Sequence, residues 1–192
     1  RGKGSMAKQI WKAGNMVYPL PAVMVTCRDK DGNDNIITVA WTGTICTNPA
    51  MAYISVRPER HSYNMIKETG EFVINLTTKE LTYATDYCGV KSGRDVDKFK
   101  ECKLTKEDAV HVNVPMIKES PVNIECKVER IDELGSHHMF VAKVLAVHAD
   151  EKYMDEKIKN PGSYEGPTSC VLADGRWCLF LDFFGCEKEK MG

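Results

Sequence analysis

A mainly β fold with short helices, built as a closed or split antiparallel barrel, is what this sequence predicts. Three observations carry that expectation. Apolar runs rich in Val, Ile and Thr recur along the 192-residue chain, bounded by turn residues rather than by regular crossover helices. The stretch 121–133 alternates apolar and polar residues cleanly, as a strand with one wet face does. There is no Gly-x-Gly-x-x-Gly fingerprint, which with the missing crossover helices argues against a doubly wound nucleotide-binding sheet.

Hydrophobic residues make up 43% and charged residues 28%, ordinary for a soluble globular protein with one substantial core. Residues 1–5 precede Met6 and read as an expression-tag remnant. Residues 6–192 read as a single domain, without internal repeats or a dividing linker. The formal net charge of -1 supplies no broad field for nucleic acid or an anionic membrane. No apolar run reaches the ~20 residues needed to cross a bilayer. The 8 cysteines contain no Cys-x-x-Cys pair, which argues against zinc ribbons and thioredoxin chemistry; no metal site is expected. Several lie in strand-like runs as small hydrophobes. With no export segment recognisable, reduced thiols and a cytoplasmic location are expected.

In chain order, Pro19 and Pro21 set an extended approach to a first strand ending at Cys27. The cluster 29–34 reads as a hairpin turn, since it lacks the downstream glutamate and flanking helices of a calcium loop. The run 35–49 begins as a strand and then changes character. Residues 51–56 form a strand. Residues 63–70 form a short helix with Ser62 as N-cap and Gly70 as its stop. A strand at 71–76 precedes a helix at 78–87 capped by Thr78. The loop 86–93 follows, where Gly89 and Gly93 permit positive φ. Residues 94–99 read as a charged helical turn, 102–105 as an exposed excursion and 110–115 as a connection. Strands 121–133 and 139–149 pair about the turn 135–138. The stretch 151–161 is polar. A terminal hairpin joins 168–173 to 177–184 across residues 174–176, and the tail 187–190 is charged.

The segment 35–49 carries the chemistry. Thr42, Thr44 and Thr47 alternate with Gly43, Ile45 and Cys46, where a plain buried strand takes larger apolar groups. Small residues let a ligand approach closely, and hydroxyls with exposed amides can receive a flat heterocycle and a phosphate. Arg57 and Ser62 stand at the corner where the next helix starts, a place whose orphan N–H groups favour an anion. The competing reading is a capped surface helix with solvated arginines. Lys91 adds a mobile cation. Both regions are read as converging on the two ends of one ligand.

The same residues resemble a known family. Residues 35–49, then Ser55-Val-Arg-Pro-Glu-Arg-His-Ser62, then 70–75, then 87–99 and Gly135-Ser-His137 are similar to the flavin reductase-like proteins of the flavoredoxin type. The likeness runs over about residues 18–150. It implies an FMN-binding split β-barrel of antiparallel Greek-key type that works as a homodimer. By this resemblance Asn35 would reach the flavin, while Thr38, Val39, Ala40, Trp41, Thr42 and Gly43 would edge the isoalloxazine ring. Arg57 and Ser62, with Thr44, would hold the phosphate. Gly89 and Lys91 would lie against the ring or its polar edge, in one protomer or across the dimer. His137 is the family's candidate catalytic residue, on the nicotinamide or substrate side. The alternative is a turn histidine without a chemical role, and His138 competes for the same place. For Trp41 the alternative is core packing.

The expected function is an FMN-binding oxidoreductase, moving electrons from NADH, NADPH or a redox protein partner through bound FMN. A non-catalytic flavin-binding or flavin-storage protein is the rival. A metal or redox-thiol protein is a weaker one, disfavoured by the scattered cysteines and histidines.

Overall fold

The computed structural model describes residues 8–151, 170–173 and 176–179. The short strand β1 (Leu20–Pro21) leads into β2 (Val23–Arg28), which pairs antiparallel with β3 (Asp34–Val39) from Val23↔Val39 to Arg28↔Asp34. The turn between β2 and β3 is closed by the Asp29 carboxylate, which accepts from the backbone N–H groups of Asp31 and Asn33, and by Gly32 at φ 87°. Short polar side chains that bond their own backbone make such turns. Residues 29–34 are thus a hairpin turn, as the sequence suggests.

Next come β4 (Thr42–Cys46), β5 (Met51–Val56), helix α1 (His61–Thr69), β6 (Glu71–Asn75), α2 (Thr82–Val90) and the single turn α3 (Lys98–Glu101). Two short strands, β7 (Lys106–Glu107) and β8 (Met116–Ile117), pair with each other before the long hairpin β9 (Val122–Glu133) and β10 (His138–Ala149). Seven strands form one antiparallel sheet in the order β3-β2-β6-β9-β10-β5-β4. Within it β6, β9 and β10 are neighbours, and the earlier β5 closes beside β10, a Greek-key order. Register shifts in the β9–β10 ladder, at Val141/Ala142 and Val144/Ala146, bend the pair. The expected split antiparallel barrel is what forms. A separate three-stranded sheet pairs β1 with β11 (Cys170–Ala173) and β12 (Arg176–Leu179), so the inner part of the terminal hairpin is present.

Alternation explains why β2 sits at the centre. Val23, Val25 and Cys27 point into the barrel core with Ile54, Phe72 and Phe140. Met24 points the other way, into a second layer with Ile36 of β3, Leu81 just before α2, Ala84 and Cys88 of α2, and Phe99 of α3. A strand buried on both faces reads as a continuous apolar run, which is what residues 22–27 show apart from Thr26.

Several local expectations are corrected. The run 35–49 is two strands, because the chain leaves β3 at Ala40 and enters β4 at Thr42. Ser62 is not the N-cap of α1. Arg60 holds that position without a side-chain cap bond, and Ser62 lies buried inside the first turn. Gly70 does stop the helix, at φ 68°. Thr78 does not cap α2, which starts at Thr82 after Leu81. Gly89 lies within α2, and neither it nor Gly93 is among the positive-φ glycines. Cys102 and Leu104 are partly buried against the second layer rather than exposed. Residues 1–5, the stretch 152–161, the tail 187–190 and the outer ends of the terminal hairpin lie outside the described residues.

Candidate functional site

The two edge strands of the sheet, β3 and β4, are consecutive in the chain, and the curl of the sheet brings them to one seam. Trp41 sits at the crossing, where its carbonyl accepts from Ser55 N–H at 2.8 Å. Along this seam runs a cavity of about 210 Å³. Its walls include Thr38 and Val39 from the end of β3, Ala40 and Trp41 from the link to β4, Ser55 from β5, and His137 from the turn before β10. A second cavity of about 200 Å³ lies between the start of α1 and the end of α2. It takes in Asn35, Ser62, Gly89, Lys91 and Gly93. Ile37, Arg57 and Arg60 border both, so the two are halves of one groove. Together they fall within the ~300–1,000 Å³ typical of small-molecule sites.

The second half is strongly cationic. Arg57, Arg60, Lys91, Arg94 and Lys98 line it against a single carboxylate, that of Glu59. Glu59 pairs with Arg57 at 3.2 Å in the open, where such a pair neutralises little. The first turn of α1 carries no acidic residue and no side-chain cap, which leaves the positive end of the helix open to an outside anion. Beneath lies a buried polar pair: Asn35 Nδ2 donates to Ser62 Oγ at 2.8 Å. Gly93 passes so close that a Cβ there would fall 2.1 Å from Asn35 Oδ1. Gly89 likewise lets α2 approach β3, since its Cβ would stand 3.3 Å from Thr38 Cβ. These glycines serve close approach.

The first half is flatter and less charged. Trp41 and His137 stand with ring centroids 6.2 Å apart and planes tilted by 30°. Burial pushes the His137 imidazole below its ordinary pKa, with Arg57 and Arg60 adding to the effect. It is therefore largely neutral at pH 7, able to donate from one nitrogen and accept at the other. His138 points elsewhere, its Nδ1 2.7 Å from Tyr63 Oη. The adjacency of the two histidines is thus separated by side: His137 faces the groove and His138 the Tyr63 ring. His61, at the start of α1, is also shifted down, first by burial and then by Arg94 and Lys98.

Ten of the residues singled out from sequence border the groove: Asn35, Thr38, Val39, Ala40, Trp41 and Arg57, then Ser62, Gly89, Lys91 and His137. Thr42, Gly43 and Thr44 border neither half. Thr42 Oγ1 donates to Tyr53 O at 2.7 Å, Gly43 packs on the Tyr53 ring, and Thr44 is exposed in β4. The hydroxyl of Thr38 is likewise committed, donating to Thr85 O. The hydroxyls of Thr38 and Thr42 are therefore spent on ties within the protein rather than offered to the groove. Sequence reasoning passed over Arg60, Arg94, Gly93 and Lys98 as site residues. Arg60 and the run Lys91-Ser-Gly-Arg94 carried a legible signal, basic residues around a glycine; Lys98 carried none.

Among the described residues no cluster of His, Cys, Asp and Glu could hold a metal ion, and no helix is long and apolar enough to cross a membrane.

Comparison with known proteins places this geometry. A protein of Pyrococcus abyssi is 32% identical over 168 residues, covering 88% of this chain and 92% of its own. The flavoredoxin of Desulfovibrio vulgaris (Miyazaki F) superposes with a TM-score of 0.79 at 27% identity, covering 90% of this chain and 93% of that one. A flavoredoxin from Methanosarcina acetivorans gives 0.78 at 26% identity, with 96% and 97% covered. Residues 15–166 match the model of the flavin reductase like domain, and the chain belongs to that family.

Proposed function

We propose that this chain is an FMN-binding oxidoreductase that passes electrons from NADH, NADPH or a redox protein partner through its flavin. The observation that carries the reading is the joined groove: a seam of backbone with Trp41 and His137 on one side of Arg57 and Arg60, and a cation-lined end on the other. A planar ring with a phosphate tail has that division of chemistry. The buried Asn35–Ser62 pair and the close pass of Gly93 fit it too, since both leave a small, polar end where a phosphoryl group would sit.

FMN, when bound, supplies hydride and single-electron chemistry at its ring. The chain's own residues do the rest. Arg57 and Arg60 hold the ligand from its middle, and Arg94 and Lys91 close the anionic end. Arg94 is steadied by Glu59, whose carbonyl accepts from Nη2 at 3.2 Å. The carbonyls of Ala40 and Trp41 are taken by the N–H groups of Thr42 and Ser55, so the polar ring edge would be oriented by the backbone groups of residues 38–41 that face away from these bonds. Trp41 shields the ring from water, and neutral His137 faces the side where a donor or acceptor docks. The resemblance also implies that the protein acts as a homodimer, which light scattering of the purified protein tests.

The decisive experiment pairs FMN titration with steady-state oxidation of NADH and NADPH. Stoichiometric FMN uptake with flavin-dependent oxidation of either nucleotide is the expected result. No uptake at micromolar FMN sinks the cofactor reading. Uptake without turnover by either nucleotide or by reduced carrier proteins leaves a flavin-binding protein rather than an enzyme.

A further inference from the structure

Lys98 is an unusual lysine. It begins the short turn α3, yet only 4% of it is exposed. Its Nζ donates to Ile36 O at 2.6 Å and to Cys88 O at 2.8 Å, tying β3 and α2 together beneath the cationic half of the groove. No carboxylate pairs with it among the described residues. A buried ammonium without a counter-ion is costly, and evolution usually neutralises it or pairs it. Two neutral carbonyls satisfy two of its three N–H donors and leave its charge unmatched. It borders the cavity already crowded by Arg57, Arg60 and Arg94. A purely mechanical tie between a strand and a helix needs no charge at all. A glutamine reaches a carbonyl, and an apolar residue fills the space.

We propose that Lys98 is the buried member of the anion site, supplying positive charge from the floor so that the groove discriminates a phosphorylated ligand from its unphosphorylated form. This rests on the flavin reading for the ligand's identity, but not for its charge. The surface arginines would gather any anion and are screened by salt. The floor charge is shielded from solvent and acts only on what enters. Its natural counter-ion is a dianionic phosphoryl group, which at the same time removes the cost of keeping the ammonium dry.

The test uses the intact chain and two variants, Lys98→Gln, which retains donors for Ile36 and Cys88, and Lys98→Met, which retains only the stem. Each is titrated with FMN and with riboflavin by fluorescence quenching, and with inorganic phosphate by thermal shift. The expected result is a loss of FMN affinity of about 10- to 100-fold in both variants, the range for a charge-assisted contact. Riboflavin affinity is expected to stay within about twofold, and stabilisation by phosphate to shrink. A structural role alone lowers FMN and riboflavin binding together, and that result overturns the proposal, as does FMN preference unchanged in Lys98→Gln. If the intact chain binds neither flavin yet loses its phosphate response on substitution, the flavin reading falls and the anion site stands. If Lys98→Met does not fold, Lys98→Gln alone decides.

Discussion

Gly93→Ala is the sharpest probe of the groove's interior. A methyl group there would lie 2.1 Å from Asn35 Oδ1, 2.5 Å from Cγ and 2.8 Å from Nδ2, all well inside contact distance. Asn35 cannot simply swing away, because it is 4% exposed and its Nδ2 is bound to Ser62 Oγ, itself buried. Relief requires breaking that bond, at about 1–3 kcal/mol for the polar group left unpaired. Otherwise the loop before α3 must shift, at about 1–3 kcal/mol for overpacking. The expected destabilisation is therefore about 1–3 kcal/mol, whichever route is taken. With a urea slope of about 2 kcal/mol/M, the midpoint should fall by roughly 0.5–1.5 M at unchanged slope. A double-mutant cycle isolates the cause. Asn35→Ala removes all three clashing atoms, so Gly93→Ala should cost less than about 1 kcal/mol in that background. An unchanged urea midpoint in the single variant, or a cost that persists undiminished beside Asn35→Ala, would refute the close-approach argument.

Other predictions follow from the same structure. Glu125 is fully buried in β9 and accepts from the N–H groups of Val110, His111 and Val112 and from His148 Nε2. Glu125→Leu strands those donors and should lower stability by at least about 3 kcal/mol in urea, while FMN affinity of the folded fraction is unchanged. Burial alone would raise the Asp34 and Glu125 pKa values, but both lie lower than usual. Arg28 and Lys106 outweigh burial at Asp34, and backbone donors with His148 outweigh it at Glu125. Folded carboxylates below their unfolded values add stability that is present above about pH 4 and lost as pH falls through and below it. Urea midpoints measured from pH 6 to pH 3 should therefore drop, and Asp34→Asn should flatten part of that drop. Burial lifts the thiols of Cys27, Cys88 and Cys126 to about 12. Iodoacetamide at pH 8 should leave these three unmodified in the native protein, as peptide mapping would show. His137→Ala should lower kcat with NADH or NADPH by tenfold or more with under threefold change in FMN Kd; equal loss in both would assign His137 to flavin binding instead.

Much of the architecture could be read directly. The β9–β10 hairpin announces itself by the apolar–polar alternation of its first arm, the long apolar run of its second, and Gly135, which takes φ 114° in the turn. The end of α1 is marked by Gly70, which only a left-handed stop requires. The cationic corner was legible because Arg57 and the following helix start are neighbours in sequence. What escaped was set by distant contacts. Lys98 is an ordinary charge in a charged run until Ile36, 62 positions earlier, presents its carbonyl. Ser62 looks like a cap, but Asn35 draws its hydroxyl inward from 27 positions away. Thr38 and Thr42 look like ligand donors because a sequence cannot show that Thr85 and Tyr53 have already claimed them. In each case local propensity was right about the residue type and silent about the partner.

The unclosed seam at Trp41 has a bearing on how the site tolerates change. A barrel whose first and last strands fully laced together would have covered the outer edge of residues 38–41 with its own ladder. Here that edge, paired on its inner side with β2, borders the groove. Contacts made by peptide groups belong to the path of the main chain and are indifferent to most side-chain exchanges. Swaps such as Val39→Ile or Ala40→Ser should pass almost unnoticed by a bound ring, whereas a proline at either position, by deleting an N–H and fixing the local turn, should be felt at once.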